Sequence, residues 1–312
     1  MKGSPVNHLR LHRELARGVK TLVAAFGGWS DAGDSATGSI DYLVRSRRAQ
    51  PLADFDAEEF FDFTQYRPIV HVNDEGMRSL TWPRNQFFIA EGTDSTSPLL
   101  LFMGTEPSLR WKTFANAFLD LAVESGVEQI VTCGALLNAV PHTRKPQVNG
   151  SGSSAEIQRI MIDLGMQRGS SYTGPTGVAS AVVEACQDRN IAYASLWGHV
   201  PHYIQTTPNP WVIQSILETL RKAFGIAVDL SDLDGQVKEF RERCEQAVSQ
   251  EPSMRSYVQR LEQYFDEIEP TPKEASSGTS VGSAEMPNPQ DLVQDLEDFF
   301  RQHRSDVGDD GT

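Results

Sequence analysis

The stretch LVAAFGGWSDAGDSATGSIDYL, residues 22–43, decides the fold class. Leu22 to Phe26 read as a buried strand, and Gly27-Gly28 supplies a tight exit turn. Ser30, Asp31 and Asp34 stand where a side chain can cap the helix that follows. Strand, glycine turn and helix N-terminus form the geometry in which an α/β sheet presents backbone N–H groups to a ligand or partner. The common nucleotide-binding versions do not fit. A Walker loop needs Gly-Lys-Ser/Thr at the helix start, and no lysine occurs between Lys20 and Lys112. The glycines at 27, 28 and 33 do not match G-x-G-x-x-G. A carboxylate at Asp31 also repels a phosphate at that helix end.

Outward from this stretch, apolar strand-like runs alternate with amphipathic helical patterns up to about residue 228, the mark of a largely parallel α/β sheet. Strands are predicted at 20–26, 68–72, 86–90, 98–103, 129–134 and 191–197, and helices at 32–46, 109–125, 154–164, 176–189 and 211–224. The helix over 109–125 puts Phe114, Phe118, Leu121 and Ala122 on one face, and Gly126 stops it. Beyond Asp229 the pattern changes. Residues 233–268 read as two helices broken near Pro252 with no strand partner. The expected division is an α/β domain over 1–230, a helical extension over 231–269, and a Pro/Ser/Gly linker over 270–289. An amphipathic helix over 290–304, striped by Leu292, Val293, Leu296, Phe299 and Phe300, precedes a disordered tail over 305–312. So apolar a helix beyond a linker needs a partner on its own body or on another subunit.

Hydrophobic residues make up 39% and charged residues 22% of the 312, ordinary for a soluble globular protein. The longest apolar run, Leu99 to Met103, is too short to cross a bilayer, and MKGSPVNHLRLHREL has no apolar signal core. Cys133, Cys186 and Cys244 are odd in number and far apart, which suggests reduced thiols and a cytoplasmic location. The net charge of −14 is unevenly placed, −3 over residues 1–230 and −11 over 231–312. A nearly neutral body with an acidic C-terminal part argues against nucleic acid or an anionic membrane as partner. The acidic part reads first as a solubility device, and otherwise as a helical arm that meets a basic surface.

Several polar loops sit just past strand ends, where an open α/β sheet binds ligands. They bring Glu106, Arg110, His142, Arg144, Thr176 and His202, with Trp29 and Asp31, onto what is expected to be one rim. An enzymatic reading takes Ser30 or Thr176 as nucleophile, His142 or His202 as base, and Glu106 or Asp31 to orient it. No G-x-S-x-G elbow supports it. His199-x-x-His202 hints at a metal, but Pro201 breaks helical spacing and no third ligand is marked, so no metal and no cofactor are expected. The histidines read better as loop hydrogen-bonding groups. Gly174-Pro175-Thr176-Gly177 can offer N–H groups to an anion, but reads first as a turn and helix cap. Trp29, Trp82, Trp111 and Trp197 fit core packing and contact surface equally well.

Together FGGWSDAGDSA (26–36), FFDFTQYRP (60–68), the Gly76…Arg78…Trp82-Pro83 run, EPSLRWKTF (106–114), VPHTR (140–144), YTGPTGV (172–178) and SLWGHVPHYIQTTPNP (195–210) resemble the proteasome assembly chaperone 2 family, in its bacterial, actinobacterial-type branch. The likeness spans about 200 residues in consistent order. It implies a three-layer, mostly parallel α/β domain similar to the phosphorylase/hydrolase-like fold of purine nucleoside phosphorylases, with a helical C-terminal region. It also implies a non-enzymatic protein-binding module whose partners are itself, as a homo-oligomer with a trimer as first expectation, and proteasome subunits. The alternative is a phosphorylase- or hydrolase-like enzyme that binds a small molecule or anion at the strand ends. Relatives that dock on the proteasome ring often end in a hydrophobic–Tyr–any tripeptide, which Asp310-Gly311-Thr312 does not match. Docking of that kind is therefore not expected from this C-terminus, and another surface is left to bind the ring.

Overall fold

The computed structural model describes residues 8–15, 17–93, 96–166 and 173–268. The expected linker over 270–289, helix over 290–304 and tail over 305–312 lie outside the described residues. One compact unit runs to Glu267. Its first half contains β1 (Leu9–Leu11), β2 (Thr21–Gly27), α1 (Ser35–Ser46), β3 (Gln50–Phe55), α2 (Ala57–Phe60), β4 (Ile69–Val72), β5 (Arg78–Thr81), β6 (Asn85–Ala90) and β7 (Leu99–Thr105). Then follow α3 (Trp111–Ser125), β8 (Gln129–Asn138), β9 (Val148–Gly152), α4 (Ala155–Asp163), α5 (Val178–Asp188), β10 (Ala192–Pro201), α6 (Pro210–Phe224), α7 (Ser231–Gln250) and α8 (Pro252–Ile268).

Eight strands form one mixed sheet in the order β1-β3-β6-β7-β2-β8-β10-β9. Its centre, β7-β2-β8-β10, is parallel. β6, β3 and β1 extend one side antiparallel, and β9 runs antiparallel to β10 at the other edge. The period-two alternation of β2 explains the layering. Leu22, Ala24 and Phe26 face α3 and α5, while Val23 and Ala25 face α1 and α6. Both faces are covered by helices, so β2 is apolar throughout, as expected of a central parallel strand. On the first face the rings of Phe26, Phe55, Phe87, Phe102, Phe114 and Phe118 interlock, with Phe55 and Phe114 stacked at 4.1 Å between centroids.

The predicted strand over 68–72 is real but lies elsewhere. β4 pairs only with β5, in a separate two-stranded hairpin whose strand residues are all exposed. β1, β3, β5 and β9 were not predicted, because each is short, polar or interrupted by proline or glycine. The predicted helix over 32–46 opens with a 3-10 turn at Ala32–Asp34 before α1 begins. The break near Pro252 separates α7 from α8, and Pro252 takes the first helical position, where its missing N–H costs no bond. α7 buries Leu233, Val237, Phe240 and Cys244, a spacing of three to four that lays one stripe inward. Cys133 and Cys186 are buried deeply enough that their thiols are pushed up to about 12, and Cys244 to about 11. Among the described residues no helix is long and apolar enough to cross a membrane.

Phe102 is fully buried and touches five other rings. Phe102→Ala should therefore cost about 3–5 kcal/mol, as a cavity the sheet cannot close, read as a lower urea midpoint with an unchanged slope.

Candidate functional site

The exit of β2 is built around one carboxylate. Gly28 turns the chain at φ 118°, a conformation open to glycine, and leaves Trp29 63% exposed. The Ser30 carbonyl accepts from Ala135 N at 2.8 Å, which ties the turn to β8. Asp31 then reaches forward. Its Oδ1 accepts from Ala36 N at 2.7 Å and Thr37 N at 3.1 Å, and its Oδ2 accepts from the Thr37 hydroxyl. These bonds satisfy free donors at the start of α1, the helix cap expected of this residue. Burial raises the Asp31 pKa, and the bonds from Thr37 and Ala36 hold part of that rise back. Ser30 and Asp34 do not share the role. Ser30 Oγ turns back toward the Phe26 carbonyl at 3.5 Å, and Asp34 stands at φ 47° with no capping bond.

Glu106 repeats the device at α5. Its N–H donates to the Gly27 carbonyl at 2.8 Å, and its Oε1 accepts from Val178 N at 2.7 Å. A Cβ on Gly177 would fall 2.7 Å from that oxygen, so glycine is what lets the carboxylate reach the helix start. The same position would lie 3.7 Å from the Trp29 indole, and one on Gly28 would lie 3.4 Å from the Tyr66 hydroxyl. Trp29, Tyr66, Glu106 and the 174–177 turn thus form one surface group. Thr176 hydrogen-bonds Ser180. Arg110 pairs with Glu59 at 2.6 Å and lies 5.5 Å over the Phe60 ring.

The other half of the expected rim lies under α7 and α8. Arg144 forks onto Asp266, with Nε at 2.9 Å and Nη2 at 2.8 Å, and reaches Glu262 at 3.2 Å. Those carboxylates, Asp266 first, raise the Arg144 pKa further. Arg144 is therefore held by the helical extension. His142 is buried. Its N–H and Nδ1 meet the Tyr203 hydroxyl at 2.7 and 2.8 Å, and Nε2 lies 3.5 Å from Glu245 in a geometry that makes no hydrogen bond. His202 bonds the Asn138 carbonyl through Nδ1 at 3.1 Å and the Tyr257 hydroxyl through Nε2 at 3.2 Å. The cavity beside His142, His199 and Trp211 measures about 10 Å³, room for about one water.

The structure therefore divides the expected rim in two. Trp29, Asp31, Glu106 and Gly177 gather around the β2 exit, with Gly27 and Gly28 in the turn and Gly174 and Thr176 in the loop that leads to α5, while Arg110 stands apart on Glu59. His142, Arg144 and His202 are engaged by α7, α8 and Tyr203. No hydrogen bond links Thr176 or Ser30 to either histidine, and among the described residues no three His, Cys, Asp or Glu side chains converge as a metal site. Glu59, Tyr203, Tyr257, Glu262 and Asp266 were not singled out from sequence. Only Tyr203, inside HVPHY, lay in a marked motif.

The model of the PAC2 family matches residues 25–248. A PAC2 family protein of Streptomyces avermitilis is 35% identical and superposes with a TM-score of 0.69, over 77% of this chain and 99% of that one. A proteasome-assembly chaperone homologue of Mycobacterium tuberculosis is 32% identical, with a TM-score of 0.70 over 76% of this chain and 99% of that one. An archaeal proteasome activator of Pyrococcus furiosus shares the fold at 16% identity, with a TM-score of 0.62 over 78% of this chain and 99% of the other. No curated protein matches the chain.

Loss of the Asp31 cap should destabilise the molecule. Asp31→Ala is expected to cost about 1–2 kcal/mol, the range for a helix cap, measured by urea unfolding. The pH response follows from His142 and His199, whose pKa values burial lowers. The unfolded chain takes up protons first as pH falls through about 6.5, so their contribution is full above that pH and is lost on acidification. Tm should fall between about pH 7.5 and 5.5, and His199→Gln should flatten the slope.

Proposed function

The chain belongs to the PAC2 family, and on that premise we propose that it is a non-enzymatic protein-binding module, cytoplasmic and self-associating, that works on proteasome subunits. The α/β body over 1–230 carries the binding surface, and the helical extension over 231–269 buttresses it. A trimer is the first expectation for the assembly. The observation that carries this reading is how the polar rim residues are used. Asp31 and Glu106 cap α1 and α5, Arg144 is held by Glu262 and Asp266, and the histidines bond tyrosines and backbone. What the rim leaves free is Trp29, an exposed indole beside Tyr66 and the 174–177 turn. Exposed aromatic rings of this kind anchor protein contacts. Two carboxylates at helix N-termini also offset the positive helix ends, which disfavours an anionic ligand there.

The test is capture of 20S α or β subunits by the purified chain, with co-migration on a sizing column. Association at micromolar concentration is expected, and Trp29→Ala should weaken it at least about tenfold with Tm unchanged. No association, together with normal proteasome assembly in a deletion strain, would overturn the reading.

A further inference from the structure

The β4–β5 hairpin has a shape without a support. Asn73 fixes its turn, with Oδ1 accepting from Glu75 N at 3.1 Å and Met77 N at 2.8 Å. The register pairs Ile69 with Thr81, Val70 with Leu80, His71 with Ser79 and Val72 with Arg78. Alternation then puts Val70, Val72 and Leu80 on one face with Arg78, and the more polar Ile69, His71, Ser79 and Thr81 on the other. Every one of these residues is exposed, and so is Met77 at the turn. At its base the hairpin is anchored by Trp82, whose ring meets Phe63 at 4.7 Å. A lone two-stranded hairpin is marginal in water, and an apolar face this open calls for a cover. Arg78 makes no ion pair among the described residues, nor do its neighbours Arg67 and Arg84.

The molecule also carries the complementary feature. An open groove of about 530 Å³ runs between α1 and the starts of α6 and α7. Met103, Ile213 and Leu233 give it an apolar floor, and Asp34, Asp41 and Asp232 stand along its rim. Asp41 is matched by Arg45 at 2.7 Å, but Asp34 and Asp232 make no ion pair among the described residues. One surface is thus an apolar projection with an unpaired cation. The other is an apolar recess with two unpaired carboxylates.

We propose that the 69–81 hairpin of one copy seats its Val70–Leu80 face in this groove of a second copy, with Arg78 opposite Asp34 and Asp232. Each chain presents one projection and one groove, so the contact is head-to-tail. Repetition of such a contact closes a ring where the rotation allows. This inference rests on the self-association part of the reading above and names the surfaces that perform it.

Light scattering of the full chain tests it. Arg78→Glu places like charges across the contact and should weaken self-association at least about tenfold, as should Asp232→Arg. Combining the two exchanges the charges and should restore association to within about threefold of the original. Arg78 is exposed on the hairpin, so Tm of Arg78→Glu should not move, whereas Asp232→Arg, in the first turn of α7, should lower Tm slightly. For a second readout, Met77→Cys and Gln236→Cys together should form intermolecular disulfides under mild oxidant, in a ladder ending at the closed ring. The native cysteines stay silent because their thiols are buried. An unchanged oligomer in both charge variants would overturn the hairpin–groove contact and leave the protein-binding reading standing. Cross-linking by Met77→Cys alone would also overturn it, since it would show hairpins meeting tip to tip. A monomeric original chain would remove self-association altogether, whatever the capture of proteasome subunits shows.

Discussion

The backbone bonds at the exit of β2 set the terms for everything around them. β2 is buried on both faces, and the chain must leave it and begin α1 within eight residues. Helix N-terminal donors left bare near a core carry a desolvation cost, so something must accept from them. The Asp31 carboxylate does, and its geometry fixes the turn before it, because Ser30 is at the same time bonded to Ala135 of β8. Glu106 solves the same problem one strand over, at α5. The two carboxylates are structural members of the sheet edge, and the negative charge they place at two helix starts removes the attraction that such starts hold for anions. The recess that many α/β sheets offer to a phosphate is filled here from within.

The second half of the polar edge is covered by the chain's own C-terminal helices. Arg144 meets Glu262 and Asp266, so part of the acidic excess after residue 230 is matched against a basic group of the body. A bidentate guanidinium–carboxylate pair is directional, and it sets where α8 lies relative to the loop over 140–144. The aromatic group of His142, His202, Tyr203 and Tyr257, meeting edge to face, does the same for the neighbouring loop. Over its described part the acidic segment meets one cation of the body, Arg144, through Glu262 and Asp266.

The legible parts of the fold are those in which one element carries its own signal. β2, β6, β7, β8 and β10 are apolar runs, and α3 and α6 have clean stripes ended by Gly126 and Gly225. β3 was hidden because Gln50, Pro51 and Asp54 break its pattern, and its pairing with β6 shifts register between Pro51 and Ala53. β9, VNGSG, has no strand propensity of its own and exists because Leu196 and its neighbours in β10 offer a ladder. The Asp31 cap was readable because cap and helix are adjacent. The fates of Arg110 and Arg144 were not, since their partners Glu59 and Asp266 are fifty to more than a hundred residues away and no local pattern marks them.

Once the polar groups of the edge are committed to caps, forks and tyrosine bonds, the chemistry left to the surface is mostly apolar contact. Trp29, Met77 and the Val70–Leu80 face are among the large apolar groups exposed in the described residues. Solvent exposure of such groups is unfavourable, and it is offset only when a partner removes them from water. The two patches differ in what stands beside them. Trp29 sits among turns and hydroxyls, a rim that can adapt to a foreign surface, whereas the hairpin face carries one defined cation and matches a groove present on every copy. The proposed assignment of the first to a foreign partner and the second to self-association rests on the charges, because self-association needs both halves of a complementary pair encoded in one sequence and binding of a foreign partner needs only one.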